Sequence, residues 1–265
     1  MPERPEAIRF DDGDAYASFM GVWSQLLGRE LLAWLAPAPE QRWLDVGCGN
    51  GAFTALIAEL TQPRSIAGLD PSQQQLAYAR QQPILRDARF DLGDAMALPV
   101  DDNAVDIAVM SLVLAFVPDP LQGVREMVRV VRSGGLVAAT MWDLGGGGFP
   151  YQQANTAINA LGLSTPTPPS PQASQPEVMA SLWERAGLEA VVRTTITVTR
   201  SFSSFDDYWA IVCRGPSLGP AIASLAAEQL AQLQSELRQQ LQPSGNGTIT
   251  LSGRATAIRG VVPAA

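Results

Sequence analysis

The residues best suited to chemistry stand in one short run, Trp43-Leu44-Asp45-Val46-Gly47-Cys48-Gly49-Asn50-Gly51. An apolar stretch leads into it and a helical pattern leads out of it. It therefore reads as a strand, a glycine-rich turn and the start of a helix. Glycine lets the backbone turn tightly and approach a ligand with no Cβ in the way. The helix that follows points its free N–H groups at the same spot. Gly47, Gly49 and Ala52 also satisfy the dinucleotide spacing G-x-G-x-x-G/A, so the glycines alone admit more than one cofactor.

Asp45 discriminates between them. A carboxylate two residues before the first glycine repels a pyrophosphate. It favours S-adenosylmethionine, which carries a sulfonium and an ammonium and no phosphate. The competing reading is that Asp45 only fixes the turn through backbone hydrogen bonds. Asp70, in Gly68-Leu69-Asp70-Pro71-Ser72, lies about twenty residues beyond the turn, where an acid accepts from both ribose hydroxyls. It reads equally as a helix N-cap with Pro71 at N1, and the two roles are compatible. Asp94 follows the third strand and is a candidate for the adenine amino group. Ala95 N–H would face a ring nitrogen and Met96 the ring face, although Gly-Asp is also a common turn. The apolar segment 111–120, with Ser111, Leu112 and Phe116, follows the fourth strand and would wall the cofactor from water. Cys48, within the turn, joins the candidate binding residues.

The composition closes several routes. The 265-residue chain has no His, and every basic residue is Arg. A Ser/His/Asp triad, an imidazole metal cage and a Lys Schiff base are thereby excluded, and no metal site is expected. A net charge of −8 disfavours a nucleic-acid partner. The two cysteines, Cys48 and Cys213, have no metal spacing and read as free thiols. With no export signal or long apolar span in the sequence, the expectation is a cytoplasmic protein without a membrane partner, monomeric or homodimeric.

The elements that must position these residues follow from periodicity. An amphipathic segment runs from Tyr16 to Leu35 and ends before Pro37 and Pro39. Strands are expected at 42–46, 65–69, 88–92, 105–111 and 136–142, with helices at 52–60, 72–80 and 120–131 between them. Apolar strands alternating with helices predict parallel βαβ units. Arg132-Ser133-Gly134-Gly135 reads as the turn before the fifth strand. Residues 144–176 break the pattern with four glycines and a proline-rich run, an excursion after strand five. A helix at 176–186, a strand at 188–200, helices at 205–213 and 221–241 and a strand at 248–262 complete the chain.

The ordered set of Asp45–Gly51, Asp70, Asp94-Ala95, residues 111–120 and 132–135 resembles the class I S-adenosylmethionine-dependent methyltransferases. The nearest group is that of the type-11 and quinone-biosynthesis enzymes. The resemblance covers residues 41–143. It implies a doubly wound, Rossmann-like α/β fold with a mostly parallel seven-stranded sheet, helices on both faces and strand seven antiparallel between five and six. It also implies an N-terminal helical lid at 1–40, a cofactor-binding core at 41–143 and, at 144–265, completion of the sheet with substrate-pocket insertions. Tyr16 is then the candidate aromatic closing over the methionine end. Ser133 departs from the usual proline before the glycine pair, and the lack of His closes the His-base mechanism of relatives that methylate oxygen.

The reaction implied is in-line methyl transfer to a small apolar or aromatic acceptor, which requires alignment and exclusion of water. Candidates for a base are Tyr16, Asp119, Asp143 and Tyr151. The acceptor pocket is expected from 11–25, 112–119, 142–165 and 201–215. Its candidate aromatics are Phe19, Trp23, Phe116, Trp142, Phe149, Tyr151, Phe202, Phe205, Tyr208 and Trp209. The alternatives are a catalytically silent cofactor-binding or regulatory protein and an NAD-type oxidoreductase, the latter disfavoured by Asp45.

Overall fold

The computed structural model describes residues 17–245 and 247–264. In chain order the elements are α1 (Val22–Leu35), β1 (Arg42–Val46), α2 (Ala52–Leu60), β2 (Ser65–Asp70), α3 (Gln73–Ala79), β3 (Arg89–Leu92), β4 (Val105–Ser111), α4 (Pro120–Val130), β5 (Val131–Trp142), α5 (Gln152–Ala160), α6 (Pro176–Arg185), β6 (Glu189–Phe202), α7 (Phe205–Arg214), α8 (Gly219–Ala223), α9 (Ala227–Gln240) and β7 (Ile249–Val261). The sheet order is β3-β2-β1-β4-β5-β7-β6. β1 to β5 are parallel, and β7 runs antiparallel to both β5 and β6.

Both faces of the sheet are covered, and the strand period of two divides the side chains between them. Trp43, Ile107, Val109 and Ala138 join a core on one face with α1, α2 and α5. Leu44, Ala108, Met110, Val137 and Ala139 join a second core on the other face with α4 and α6. This explains why the central strands read as largely apolar runs. The edge strand β6 instead alternates, with Ile196, Val198 and Phe202 buried among exposed Thr and Arg.

Two segments differ from the expectation. The 132–135 turn lies inside β5, which pairs with β4 from Val131 and shifts register between Val105 and Ile107. The Gly134 N–H donates to Val262 O, so the run is held by β7's end rather than looping free. The helix expected over 221–241 is two helices. Ser224 Oγ donates to Ala221 O and closes α8, and Gln229 Oε1 accepts from Ala226 N–H to open α9. Of the expected 1–40 lid, residues 1–16 and hence Tyr16 lie outside the described residues. Helix α1 is packed against α2 and β6, with Trp23, Leu27 and Leu31 fully buried.

Opposite the carboxyl ends of the strands, Asp106 clasps three strand starts. Its Oδ2 accepts from the Arg42 N–H at 2.8 Å and from Arg42 Nε at 3.0 Å; its Oδ1 accepts from Arg132 Nε at 2.5 Å. Hydrogen bonding to Arg42 is the chief reason its carboxyl titrates well below the ordinary carboxylate range. A depressed carboxyl stabilises the fold above its unfolded pKa, and that contribution is lost as pH falls through the folded one. Asp106→Asn should therefore cost about 2 kcal/mol at pH 7. Thermal melts at pH 7 and pH 3 test this: the gap between variant and parent should narrow at the lower pH.

Candidate functional site

Strand order reverses between β1 and β4, which leaves a crevice at their carboxyl ends. The glycine turn after β1 forms one lip. The N–H groups of Gly47 and Cys48 both donate to Leu69 O, at 2.7 and 2.9 Å, which ties the turn to β2. Gly47 has φ +76, and a Cβ there would meet Val113 Cγ2 at 2.5 Å, so its glycine is demanded by packing. Gly49 has φ +54, and a Cβ there would find only Gln75 Oε1, at 4.0 Å. The backbone at Gly49 faces open space, as close approach of a ligand requires.

Asp70 holds this lip from the tip of β2. Its Oδ2 accepts from Gly49 N–H at 2.9 Å and its Oδ1 from Ser72 N–H at 2.8 Å. Burial raises its pKa, and these two N–H donors oppose the rise. Asp70 is not the cap of the following helix, because Ser72 Oγ accepts from Gln75 N–H and α3 begins at Gln73. Each Asp70 oxygen keeps acceptor capacity beyond its one bond.

The crevice opens into a cavity of about 960 Å³. That is at the upper end of small-molecule sites, about 300–1,000 Å³. The strand tips supply Gly47, Gly49, Asp70, Pro71, Asp94, Ala95, Ser111, Leu112 and Phe116 to its wall. Leu112 is held at φ +63, where its N–H donates to Thr140 O. A non-glycine residue in that region costs of order 1 kcal/mol and persists where the surroundings enforce it.

Other expected residues lie elsewhere. Asp45 is 1% exposed beneath the turn, where its Oδ2 accepts from Thr54 Oγ1 at 2.7 Å. It is off the cavity wall, so direct contact with a cationic ligand is not its role. Burial raises its pKa to about 7. Cys48 is buried with Leu76, Ala79, Leu85 and Phe90 under the turn, and burial raises its thiol pKa. Met96 is also off the wall: its N–H donates to Asp94 Oδ1, and its carbonyl accepts from Gln122 Nε2.

The described candidate bases are occupied away from the cavity. Asp119 caps α4 by accepting from Gln122 N–H. Asp143 pairs with Arg254 at 2.8 Å and accepts from Gly146 N–H. Tyr151 is fully buried, donating to Phe19 O and accepting from Trp23 Nε1, and burial raises its pKa. Of the expected aromatics, Phe19, Phe116, Trp142 and Phe149 line the cavity. Trp23, Tyr151, Phe202, Phe205, Tyr208 and Trp209 pack behind it. Among the described residues no group of His, Cys, Asp or Glu is arranged to hold a metal, and no helix is long and apolar enough to cross a membrane.

Sequence reasoning missed the polar side of the wall: Gln152 and Asn155 on α5, Thr165 and Thr167 in the proline-rich run, and Gln172 and Gln175 after it. The one legible signal was spacing, since both carboxamide pairs are three residues apart and so share a face.

A methyltransferase domain family matches residues 44–139, which contain the turn, Asp70, Asp94 and the fourth strand. That match covers little more than a third of the chain. Over 97 residues the chain is 36% identical to the chloroplastic 2-methyl-6-phytyl-1,4-hydroquinone methyltransferase of Arabidopsis thaliana, covering 37% of this chain and 29% of that protein. Over 99 residues it is 38% identical to a demethylmenaquinone methyltransferase of Shouchella clausii, covering 36% and 42%. The match thus spans less than half the length of these curated relatives. Among solved structures, phosphoethanolamine N-methyltransferase 2 of Haemonchus contortus, in complex with S-adenosyl-L-methionine, has the same fold. Its TM-score is 0.57 at 16% identity, over 95% of this chain and 56% of that one.

Asp45 gives the glycine turn a testable pH signature. Its raised pKa means that the native state holds this proton more tightly than the unfolded chain does. Its contribution to stability therefore falls as pH rises from about 4 to about 7. Asp45→Asn can still accept from Thr54 and removes that slope. Melts from pH 5 to pH 8 should place the variant progressively above the parent as pH rises; parallel curves would show that Asp45 does not titrate in this window.

Proposed function

We propose that the chain binds S-adenosylmethionine in the crevice at the ends of β1–β4 and transfers its methyl group to a small apolar or aromatic molecule held beside it. The observation carrying this reading is that one cavity joins the Asp70-anchored turn to an uncommitted wall formed by segments after β5. The residues present fit the cofactor. Gly49 clears space for it, Asp70 retains acceptor capacity for the ribose hydroxyls, and Asp94 offers a carboxylate oxygen for the adenine amino group. Pro71, Leu112 and Phe116 supply apolar surface on the same wall.

When bound, the cofactor supplies a methyl carbon already activated by its sulfonium. The protein's share is to align, to shield and to hold still. Asp70 fixes the turn by bonding Gly49 N–H, so the lip does not need to reorganise when occupied. Phe19, Met20 and Trp142 present apolar surface that excludes water from the reacting centre. Alignment of this kind accounts for much of the barrier lowering in a bimolecular displacement.

Calorimetry with S-adenosylhomocysteine tests the binding. The parent should bind it, and Asp70→Ala should weaken binding at least tenfold with thermal melting still cooperative. Binding of NADH instead would support an oxidoreductase. Transfer of tritiated methyl groups to a metabolite extract tests turnover, and binding without transfer would identify a silent cofactor-binding protein.

A further inference from the structure

We infer that the acceptor carries no net charge, that the wall recognises it through neutral carboxamides, and that none of the described candidate bases serves the reaction. This rests on the methyl-transfer reading above. Among the described residues that line the cavity, the only ionisable side chains are Asp70 and Asp94, both at strand tips. Every described lining residue contributed after β4 is apolar or neutral. The ones with polar side chains are Gln152, Asn155, Thr165, Thr167, Gln172, Gln175 and Ser217. A carboxylate, phosphate or ammonium brought into this part of the cavity would lose hydration with no opposite charge to offset the loss. A neutral acceptor with carbonyl, ether or hydroxyl groups suffers no such loss.

The carboxamides are held for this task to different degrees. Thr165 Oγ1 donates to Asn155 Oδ1 at 2.5 Å, which leaves the Asn155 N–H groups to donate elsewhere. Gln152 Nε2 donates to Thr156 Oγ1 at 3.2 Å, which leaves Gln152 Oε1 as an acceptor. One turn of α5 thus offers a donor and an acceptor on one face. Gln172 and Gln175, at the exposed rim, make no side-chain hydrogen bond among the described residues.

The chemistry follows from the same wall. A lone pair of the acceptor forms the new bond to the methyl carbon, and the carbon–sulfur pair returns to sulfur, leaving a neutral thioether. A proton on the attacking atom leaves to water, since the described candidate bases Asp119, Asp143 and Tyr151 all lie off the cavity wall. Acceptors whose nucleophilic atom is weakly acidic or carries no proton therefore suit this site.

The experiment uses the full chain with tritiated S-adenosylmethionine and a metabolite extract divided by ion exchange into neutral, anionic and cationic pools. Label should enter the neutral pool at least tenfold more than either charged pool. With that pool as substrate, Gln152→Glu should lower incorporation at least tenfold and leave S-adenosylhomocysteine affinity within twofold. Equal or greater labelling of a charged pool overturns the inference and leaves the methyl-transfer reading standing. So does a Gln152→Glu variant that keeps both full activity on the neutral pool and cofactor affinity. No labelling of any pool by protein that binds S-adenosylhomocysteine overturns both.

Discussion

The site depends on a single carboxylate spanning two backbone segments. Asp70 accepts one N–H from the glycine turn and one from the start of the α3 approach. Without it, Gly49 N–H would be left to water, and the turn would lose its bond to the tip of β2 while keeping those to Leu69 O. The same carboxylate lines the cavity. The carboxylate that orders the lip is therefore also one that a ligand in the cavity would meet, and binding need not first organise the loop. Pre-organisation of this kind keeps the entropy of ordering from opposing the ligand.

The two Asp residues of the motif have exchanged the importance that their sequence positions suggest. Asp45 precedes the glycines, in the position expected to face whatever they hold, yet the strand alternation turns it beneath the turn toward Thr54. Its effect on a cation in the crevice is exerted through the protein interior, from a group whose ionisation is itself opposed by burial. Asp70, at the last position of β2, faces the cavity because the strand ends there and Pro71 turns the chain away. Charge type was readable from the sequence; facing was not, because it depends on register against neighbouring strands.

That distinction marks how far the sequence could be read. The central strands were legible because both of their faces are buried, which yields apolar runs such as Ile107–Met110. The start of β5 was not legible, because Ser133-Gly134-Gly135 has turn composition and is held in the sheet by a long-range bond to Val262 O. The strand-tip side of the cavity follows from the strands: its residues sit at fixed offsets from strand ends. The opposite side is assembled from residues far apart in sequence, such as Asn155 and Thr165 or Trp142 and Gln175, with no local period linking them. Aromatic residues there were the natural candidates, yet Tyr151 and Tyr208 are wholly buried packing.

Tyr151 nevertheless bears on the site through what it holds. Its ring stacks on Phe19 with centroids 4.3 Å apart, and its hydroxyl donates to Phe19 O at 3.0 Å. Arg200, from β6, donates to Ser18 O at 2.9 Å and to Phe19 O at 3.3 Å. Trp23 Nε1 donates to the same Tyr151 hydroxyl. These groups come from α1, β6 and the start of α5, and they converge on the backbone where the segment 17–21 meets the cavity. Phe19 is thereby fixed on the wall by elements of the sheet and the helical layer, not by its own short segment. The α5 face that carries Gln152 and Asn155 begins one residue after Tyr151. One buried hydroxyl thus sets the position of an apolar side chain and of a polar helix face on the same cavity. That coupling explains why a tyrosine off the cavity wall is so heavily bonded.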